Sequence, residues 1–465
     1  MVEVRWLFMT KRSSDHEIQQ AFDTQMNRDK LLQCMRCGFC LSTCPTYIAS
    51  GFKESHSPRG RIALMLAVAN GQKEPDEDFY RTIETCLDCR ACEAVCPSGV
   101  QYGELIETAK QILIDHHKQG VKEKVIRSLT VRGLFPHPGR LNFMADFVTF
   151  YQRSGLQKLT HLLHIMSLFP ASLRAMEAVL PDVRAYKKPV DIRPFAADFP
   201  EKKTYRVAFF EGCLMGSMFQ HVNSTSKVLL QLAGCDVISP AKQICCGALS
   251  DHSGEKALAR EMAKKNIAVF EAEKIDFIVN NAGGCEAELL EYPRLLADDP
   301  EWVPRAKAFS AKVKDVTQIL TLTGFDQLAL QMPPTKITYQ DSCHQQNVFG
   351  VAQEPRQLLQ AIQGVTLIEM EERVGCCGSG GIYNMVEPTA ANHILDLKMA
   401  KITALSGVQR IITANPGCFM QMRLGVKRAG IDEQVQVQSI TDFLLDAVNY
   451  TRTQNQQAII AVQNS

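Results

Sequence analysis

Charge of one sign is what this sequence most plainly lacks. Its 51 basic side chains face 50 acidic ones, a net of +1. That balance gives no support to a nucleic-acid or polyanion partner. Long apolar runs are missing too: nothing approaches the roughly 18 uninterrupted apolar residues of a transmembrane segment. The opening stretch, MVEVRWLFMTKRSSD, has Arg5 inside a short apolar run and no small-residue cleavage site, so no secretory signal is expected. Cysteine, by contrast, is plentiful, with 17 in 465 residues. A disulfide scaffold of a secreted protein would be short and would carry a signal. We therefore expect a cytoplasmic protein in a reducing compartment, peripheral at the inner face of the cell membrane through a partner, with most cysteines serving as thiolate ligands. The length exceeds what one core supports, so several domains are expected.

The cysteines are bunched. Eight lie from Cys34 to Cys96 and nine from Cys213 to Cys418, with none between. This suggests a cysteine-rich module over residues 20–110, a helical connector over 111–203, two further domains over 204–330 and 331–450, and a tail over 451–465. In the connector, GELIETAKQILIDHHKQGVKEKVIRSLTVRGLF has apolar residues at helical spacing. Prolines 136, 138, 170, 181, 189, 194 and 200 then punctuate the chain. The stretch FMADFVTFYQRSGLQKLTHLLHIMSLFP reads as an amphipathic helical hairpin. We take it as packed on its own core in preference to a membrane-surface or partner helix.

The C-terminal half repeats itself. A strand YRVAFFEGC, a helix around STSKVLLQLAG, a strand CDVISP, the sequence Cys245-Cys246-Gly247, a helix EKALAREMAKKNIAVFEAE and a strand IDFIVNNAGGC form the first copy. KITYQDSC, EPRQLLQAIQG, VTLIEM, Cys376-Cys377-Gly378, PTAANHILDLKMAKITALSG and QRIITANPGC follow in the same order. Alternating strands and helices imply two α/β units with mainly parallel sheets. Ligands of such sheets sit beyond the carboxyl ends of strands, where Cys213, Cys285, Cys343 and Cys418 are expected.

Two motifs carry the sharpest chemistry. Cys34, Cys37, Cys40 and Cys44, followed by Pro45, match the bacterial ferredoxin run C-x2-C-x2-C-x3-C-P, and Cys86, Cys89, Cys92 and Cys96, followed by Pro97, match it again. Three cysteines two residues apart let a tight loop wrap three corners of a [4Fe–4S] cubane. In two-cluster ferredoxins the fourth cysteine of each run serves the other cluster. The expected ligand sets are Cys34, Cys37, Cys40 and Cys96 for cluster one, and Cys86, Cys89, Cys92 and Cys44 for cluster two. Zinc ribbons, with paired C-x-x-C knuckles, fit poorly. Between the runs, HSPRGRIALMLAVANG should open a helix at Pro58. Arg59 and Arg61 in its first turn either favour reduction of a nearby cluster or pair with surface carboxylates.

Each Cys-Cys-Gly repeat offers four further cysteines: Cys213, Cys245, Cys246 and Cys285, then Cys343, Cys376, Cys377 and Cys418. Adjacent cysteines rarely bond to each other, and the following glycine permits close backbone approach. A further cluster, zinc, and a metal-free redox thiol pair all remain open for these eight. His344, beside Cys343, would serve zinc but reads better as a hydrogen-bonding residue. Cys235 lies outside the pattern and reads as a buried thiol.

The segments CMRCGFCLSTCPTY, SPRGRI, TCLDCRACEAVCPSGV, FEGC, AGGC, CCGSGG and TANPGC together resemble the iron–sulfur subunits of glycolate oxidases, from about Leu31 to about Leu445. The resemblance implies a multidomain α+β and α/β chain: a helical dicluster [4Fe–4S] ferredoxin domain followed by two repeated α/β CCG domains. It implies FAD-binding partner subunits, oxidation of a 2-hydroxy acid on those partners, and relay of the electrons to a quinone or similar membrane acceptor. Iron–sulfur subunits of anaerobic glycerol-3-phosphate and lactate dehydrogenases share the architecture, as do heterodisulfide reductases. The last carry C-x-x-C where this chain has Glu288 and Gln421, which weakens that comparison. A metal- or redox-sensing protein without a catalytic partner is the rival from another class. No G-x-G-x-x-G opens a helix after a strand, so neither FAD nor NAD is expected on this chain. No general base or nucleophile stands out, and we assign no catalytic side chain.

Overall fold

In the computed structural model, residues 15–116, 128–169, 204–371, 375–381 and 383–463 are described, with isolated positions between 174 and 195. The expected prolines at 170, 181, 189, 194 and 200, and the connector helix beyond residue 116, lie outside the described residues. The chain divides into two compact units. The first comprises Met1–Gly133, Gly247–Ala259 and Val374–Ile394; the second comprises Leu134–Cys246, Arg260–Arg373 and Leu395–Ser465.

The first unit is helical where it is regular. Ser57 caps the helix Pro58–Ala69 by accepting the Gly60 N–H at 3.0 Å, and Pro58 stands where an N–H would have no helical partner. Asp76 caps Glu77–Glu84 through the Phe79 N–H at 2.8 Å. These helices and Tyr102–His116 bury Met65, Phe79, Ile83, Ile106 and Ile112 in one core. Phe22 and Phe79 meet edge to face there, 5.3 Å between centroids. Cys86 and Cys92 belong to this core, and Cys34, Cys40 and Cys96 pack against it. Apolar packing therefore fixes the loops that carry the two cysteine runs.

The second unit holds two four-stranded parallel sheets. In the first, β1 (Tyr205–Phe209) lies between β2 (Cys235–Ile238) and β3 (Phe277–Asn280), and β4 (Val313–Asp315) extends the sheet beyond β3. In the second, β5 (Gln331–Gln340) lies between β6 (Gln363–Leu367) and β7 (Arg410–Thr413), with β8 (Gln436–Ser439) beyond β7. The strand order is the same in both, as the sequence repeat requires. Val207, Phe209 and Val279 of one sheet share a core with Ile337, Tyr339 and Ile412 of the other, joined by Leu229, Phe443 and Leu444 from helices. Cys235 is wholly buried in that core. The strands β4 and β8 have no counterpart in the sequence reading; both are short and close one edge. Residues 451–463 continue the helix Ile440–Gln463.

The strands stop earlier than expected. β3 ends at Asn280 because its side chain turns back on the backbone, accepting the Ala282 N–H at 2.8 Å and donating to the Phe210 carbonyl at 2.6 Å. Cys285 consequently lies in the first turn of the helix Gly283–Leu295, not at a strand end. Cys343 opens the helix Cys343–Asn347, Cys418 lies in the first turn of Pro416–Arg428, and Cys213 immediately precedes the turn Leu214–Ser217. The expectation of strand-end positions is corrected by a few residues: the cysteines occupy strand-to-helix turns.

Candidate metal centres

In the first unit, Cys44, Cys86, Cys89 and Cys92 line one cavity, with Pro45, Thr46, Pro58, Arg61 and Tyr102 among its walls and about 310 Å³ of empty space including its mouth. Cys44 reaches it because Cys44 forms the N-cap of Pro45–Ala49, with Pro45 at the first helical position. Thr46 Oγ1 sits 3.3 Å from the Cys44 sulfur, and the Tyr102 hydroxyl lies 3.6 Å from the Cys86 sulfur. Burial pushes the Cys92 thiol well up, and the neighbouring Cys89 and Cys86 add to the shift. A cation or cluster at this position would favour the ionised form of the Cys92 thiol.

Arg61 decides how that cavity is read. Its side chain is 1 % exposed. It donates to the Thr82 carbonyl at 2.8 Å, the His56 carbonyl at 2.7 Å, Thr46 Oγ1 at 3.1 Å and Thr85 Oγ1 at 3.4 Å. No carboxylate is among these partners. Burial pulls its pKa down, but the field of Tyr102, Cys86 and Cys44 outweighs that and raises it. A buried guanidinium without a carboxylate is costly unless an anionic group stands nearby. Four thiolates around an iron–sulfur cluster are such a group, so the residues present fit it. The two readings of the arginine pair therefore separate: Arg59 forms an ion pair with Glu54 at 2.6 Å, while Arg61 stays with the cysteines.

The other set is more open. Cys37 is exposed and Cys34, Cys40 and Cys96 are half-buried. Gln33 ties the first run to the turn after Cys96 by donating to the Ser98 carbonyl at 2.6 Å, and the Val100 N–H points at the Cys96 sulfur, 3.4 Å away. Burial raises the Cys40 thiol, against a backbone N–H of Arg59 that lowers it. Leu32, Met35, Phe39 and Phe52 are exposed in and near this loop, each more than 60 % accessible.

A buried ion network beside Cys86 and Cys89 was not foreseen. Arg90 takes a left-handed backbone, φ 57°, and donates to Asp88 Oδ1 at 2.9 Å, Glu107 Oε1 at 2.6 Å and Glu93 Oε1 at 3.2 Å. Gly103 lets it pass: a Cβ there would lie 1.5 Å from the guanidinium carbon. His252 Nδ1 stands 3.4 Å from both Asp88 and Glu107. Burial lowers the His252 pKa, but the Asp88 and Glu107 carboxylates facing it raise it well above the usual value, which favours the cation. Asp88, Glu107 and His252 bring ligand atoms within 4.8 Å of one another. With Arg90 already donating to both carboxylates, the group is an ion-pair network, not a metal site. Nothing in local spacing could have joined Asp88 to His252.

In the second unit the fold gathers Cys213, Cys245, Cys246 and Cys285. Cys213 is raised by its contact with Cys245 and by burial; Cys285 is lowered by contact with Cys246 but raised more by burial and the other thiols. Asn266 fixes the adjacent pair, accepting the Ile244 N–H at 3.0 Å and donating to the Cys245 carbonyl at 2.9 Å; the Tyr292 hydroxyl donates to the Cys246 carbonyl at 2.8 Å. Beside Cys285, Glu286 is fully buried and pushed well up by burial and by Asp315, so it keeps its proton. Asp315 in turn accepts from Gln345 Nε2 at 2.9 Å. Glu288 is buried one helical turn beyond Cys285, and Gln421 one turn beyond Cys418.

The second set is divided: Cys343 and Cys418 belong to the second unit, Cys376 and Cys377 to the first. The Gly378 N–H lies 3.4 Å from the Cys376 sulfur, and Asn415 Nδ2 3.6 Å from the Cys418 sulfur. Gly378 has φ 87°, and a Cβ on it would stand 2.6 Å from the Ala391 carbonyl oxygen. A glycine is required there by the helix Pro388–Thr403, which carries Ala391.

Comparison with known proteins agrees with this layout. The family described as a 4Fe-4S dicluster domain matches residues 30–100. The cysteine-rich domain family matches 207–290 and 337–423, and the linker region of glycolate oxidase iron-sulfur subunits matches 122–180. The probable glycolate oxidase iron-sulfur subunit of Bacillus subtilis (strain 168) is 50 % identical over 444 residues, 95 % of this chain and 99 % of that one. The glycolate oxidase iron-sulfur subunit of Escherichia coli (strain K12) is 30 % identical over 400 residues, 84 % of this chain and 90 % of that one. Lactate utilization protein A of an Exiguobacterium species is 32 % identical over 243 residues, 52 % of this chain and 98 % of its own length. With one dicluster domain, a matching linker, two cysteine-rich repeats and 95 % and 84 % of its length covered by the two glycolate oxidase relatives, the chain belongs to the family of glycolate oxidase iron–sulfur subunits.

Proposed function

We propose that this chain is the electron-relay subunit of a glycolate (2-hydroxy acid) oxidase, taking electrons from FAD-containing partner subunits and passing them to a quinone or similar acceptor. The single observation that carries the reading is Arg61, buried without a carboxylate beside Cys44 and Cys86. Bound, each [4Fe–4S] cluster supplies one-electron chemistry, which divides the electron pair released by a flavin. The chain's residues supply the rest. Cys86, Cys89, Cys92 and the crossing-over Cys44 would hold the inner cluster; Cys34, Cys37, Cys40 and Cys96 would hold the outer one. Arg61 offsets the negative charge that reduction adds, while Tyr102 and backbone N–H groups point at the sulfurs. The exposed Met35, Phe39 and Phe52 around the outer loop support docking of a redox partner there. Among the described residues, no helix is long and apolar enough to cross a membrane.

Cys213, Cys245, Cys246 and Cys285 are proposed as a further cluster site, with zinc as the alternative. Reactive thiols are held at low pKa, and the upward shifts of Cys213 and Cys246 speak against a metal-free redox pair. The test is anaerobic purification with the flavoprotein subunits attached, iron and sulfide counts, and EPR after addition of glycolate. About eight irons and glycolate-dependent [4Fe–4S] signals are expected from the two runs alone, and about twelve with the extra site. Clusters that reduce with dithionite but never with glycolate in the assembled complex would defeat the proposal.

A further inference from the structure

Half of the exposed large hydrophobic side chains among the described residues fall in one short region. Ten of the twenty lie from Phe143 to Phe169. This region was expected to pack on its own core, and only its inner face does. On the helix Pro138–Arg153, Leu141 and Ala145 are fully buried. Ala145 shares a core with Met215, Met218 and Phe219, against which Met144, Val148 and Cys285 also pack. The opposite face carries Phe143, Phe147 and Phe150, spaced i, i+4 and i+7, and all are more than 60 % exposed. The chain then turns at Gly155, φ 80°, into the helix Leu156–Leu162 and the short turn Ile165–Leu168. Leu162 is 75 % exposed and Leu168 83 %. Monomers rarely leave so contiguous an apolar surface without a use.

Charge indicates what covers it. The whole chain is balanced, yet residues 147–176 contain no Asp or Glu while holding Arg153, Lys158 and Arg174. From 138 to 169 three cations face one carboxylate, Asp146, and Arg140 and Arg153 flank the phenylalanine face. Phenyl and aliphatic groups on an exposed helical hairpin flanked by cations, with the Glu177 carboxylate held by Gln157 and His161, match an interfacial membrane anchor. Protein interfaces more often rely on Tyr, Trp and Arg anchors in pockets. We propose that the hairpin 138–169 docks on an anionic lipid surface. The inference rests on the relay reading only for its purpose. It would bring the Cys213–Cys285 region to about one helix diameter, roughly 10 Å, from the lipid.

The test is flotation of the full, cluster-loaded chain with phosphatidylcholine vesicles, with and without one-third phosphatidylglycerol. The wild-type chain should float with the anionic vesicles and much less with the neutral ones. A Phe143→Ser, Phe147→Ser, Phe150→Ser variant should lose about tenfold in partitioning, with its cluster absorption and thermal midpoint unchanged. An Arg153→Glu, Lys158→Glu variant should remove the preference for anionic lipid. Wild-type protein that stays in solution with both vesicles, or a triple-serine variant that floats as well as wild type, overturns the proposal. So does a non-floating wild type whose triple-serine variant loses its co-purifying flavoprotein, which would give the face to a protein partner. Cluster reduction by the flavoprotein without vesicles tests the relay separately: either result can fail while the other stands.

Discussion

Cys44, Cys86, Cys89 and Cys92 share their cavity with a buried cation, whereas Cys213, Cys245, Cys246 and Cys285 have the protonated Glu286 beside them and neutral amide and phenol groups on their backbone. Both sets are four cysteines brought to one place. Their surroundings set them apart. Next to Arg61, adding an electron is favoured; a protonated Glu286 gives added negative charge no such offset. Electrons should therefore rest in the dicluster domain, and a metal centre at the other quartet should be harder to reduce.

The largest effect that could break this comparison is loss of a ligand. Cys89→Ser should cost about four irons per chain and abolish glycolate-driven cluster reduction, whereas Cys246→Ser should leave both dicluster EPR signals intact. Equal losses from the two variants would erase the distinction. Arg61→Leu comes next. A unit charge near a cluster contributes about 2 kcal/mol at an effective permittivity of about 20, so the inner cluster's potential should fall by about 100 mV. Redox titration followed by EPR measures this, and Glu286→Gln should leave the same potential unchanged.

The third prediction concerns the ion network that braces the inner loop. The pKa of His252 is raised in the folded protein, so its contribution is fully present below about pH 6.5 and fades as pH rises through the higher folded value. His252→Gln should cost about 2 kcal/mol near pH 6, less than for a fully buried pair because 22 % of the side chain is exposed. Denaturant unfolding at pH 6 and above pH 9 should show the gap between variant and wild type closing in alkali. A gap that widens there would contradict the assignment of His252 as a cation. Smallest of all, Tyr102→Phe removes the hydroxyl 3.6 Å from the Cys86 sulfur and should shift the inner potential by no more than about 30 mV.

Much of this was legible in the sequence because it is carried by spacing. The two cysteine runs, the Pro58 helix and the repeated strand order all depend on neighbours a few residues apart. What escaped depends on long-range contact. Asp88 and His252 are distant in sequence, and no periodicity links them. β4 and β8 are too short and too polar to announce themselves. The hairpin's inner face followed its apolar pattern, but Phe143, Phe147 and Phe150 have the composition of core residues, and only the fold shows that they face outward.

The crossing-over of Cys44 and Cys96 is the point on which the account of the clusters turns, and paired variants test it most directly. With the outer cluster removed by Cys37→Ser, the remaining EPR signal should survive a further Cys96→Ser change and be lost or strongly altered by Cys44→Ser. The reverse pattern, sensitivity to Cys96→Ser and indifference to Cys44→Ser, would show that each run holds its own cluster and would contradict the cavity shared by Cys44, Cys86, Cys89 and Cys92 as the inner cluster's site.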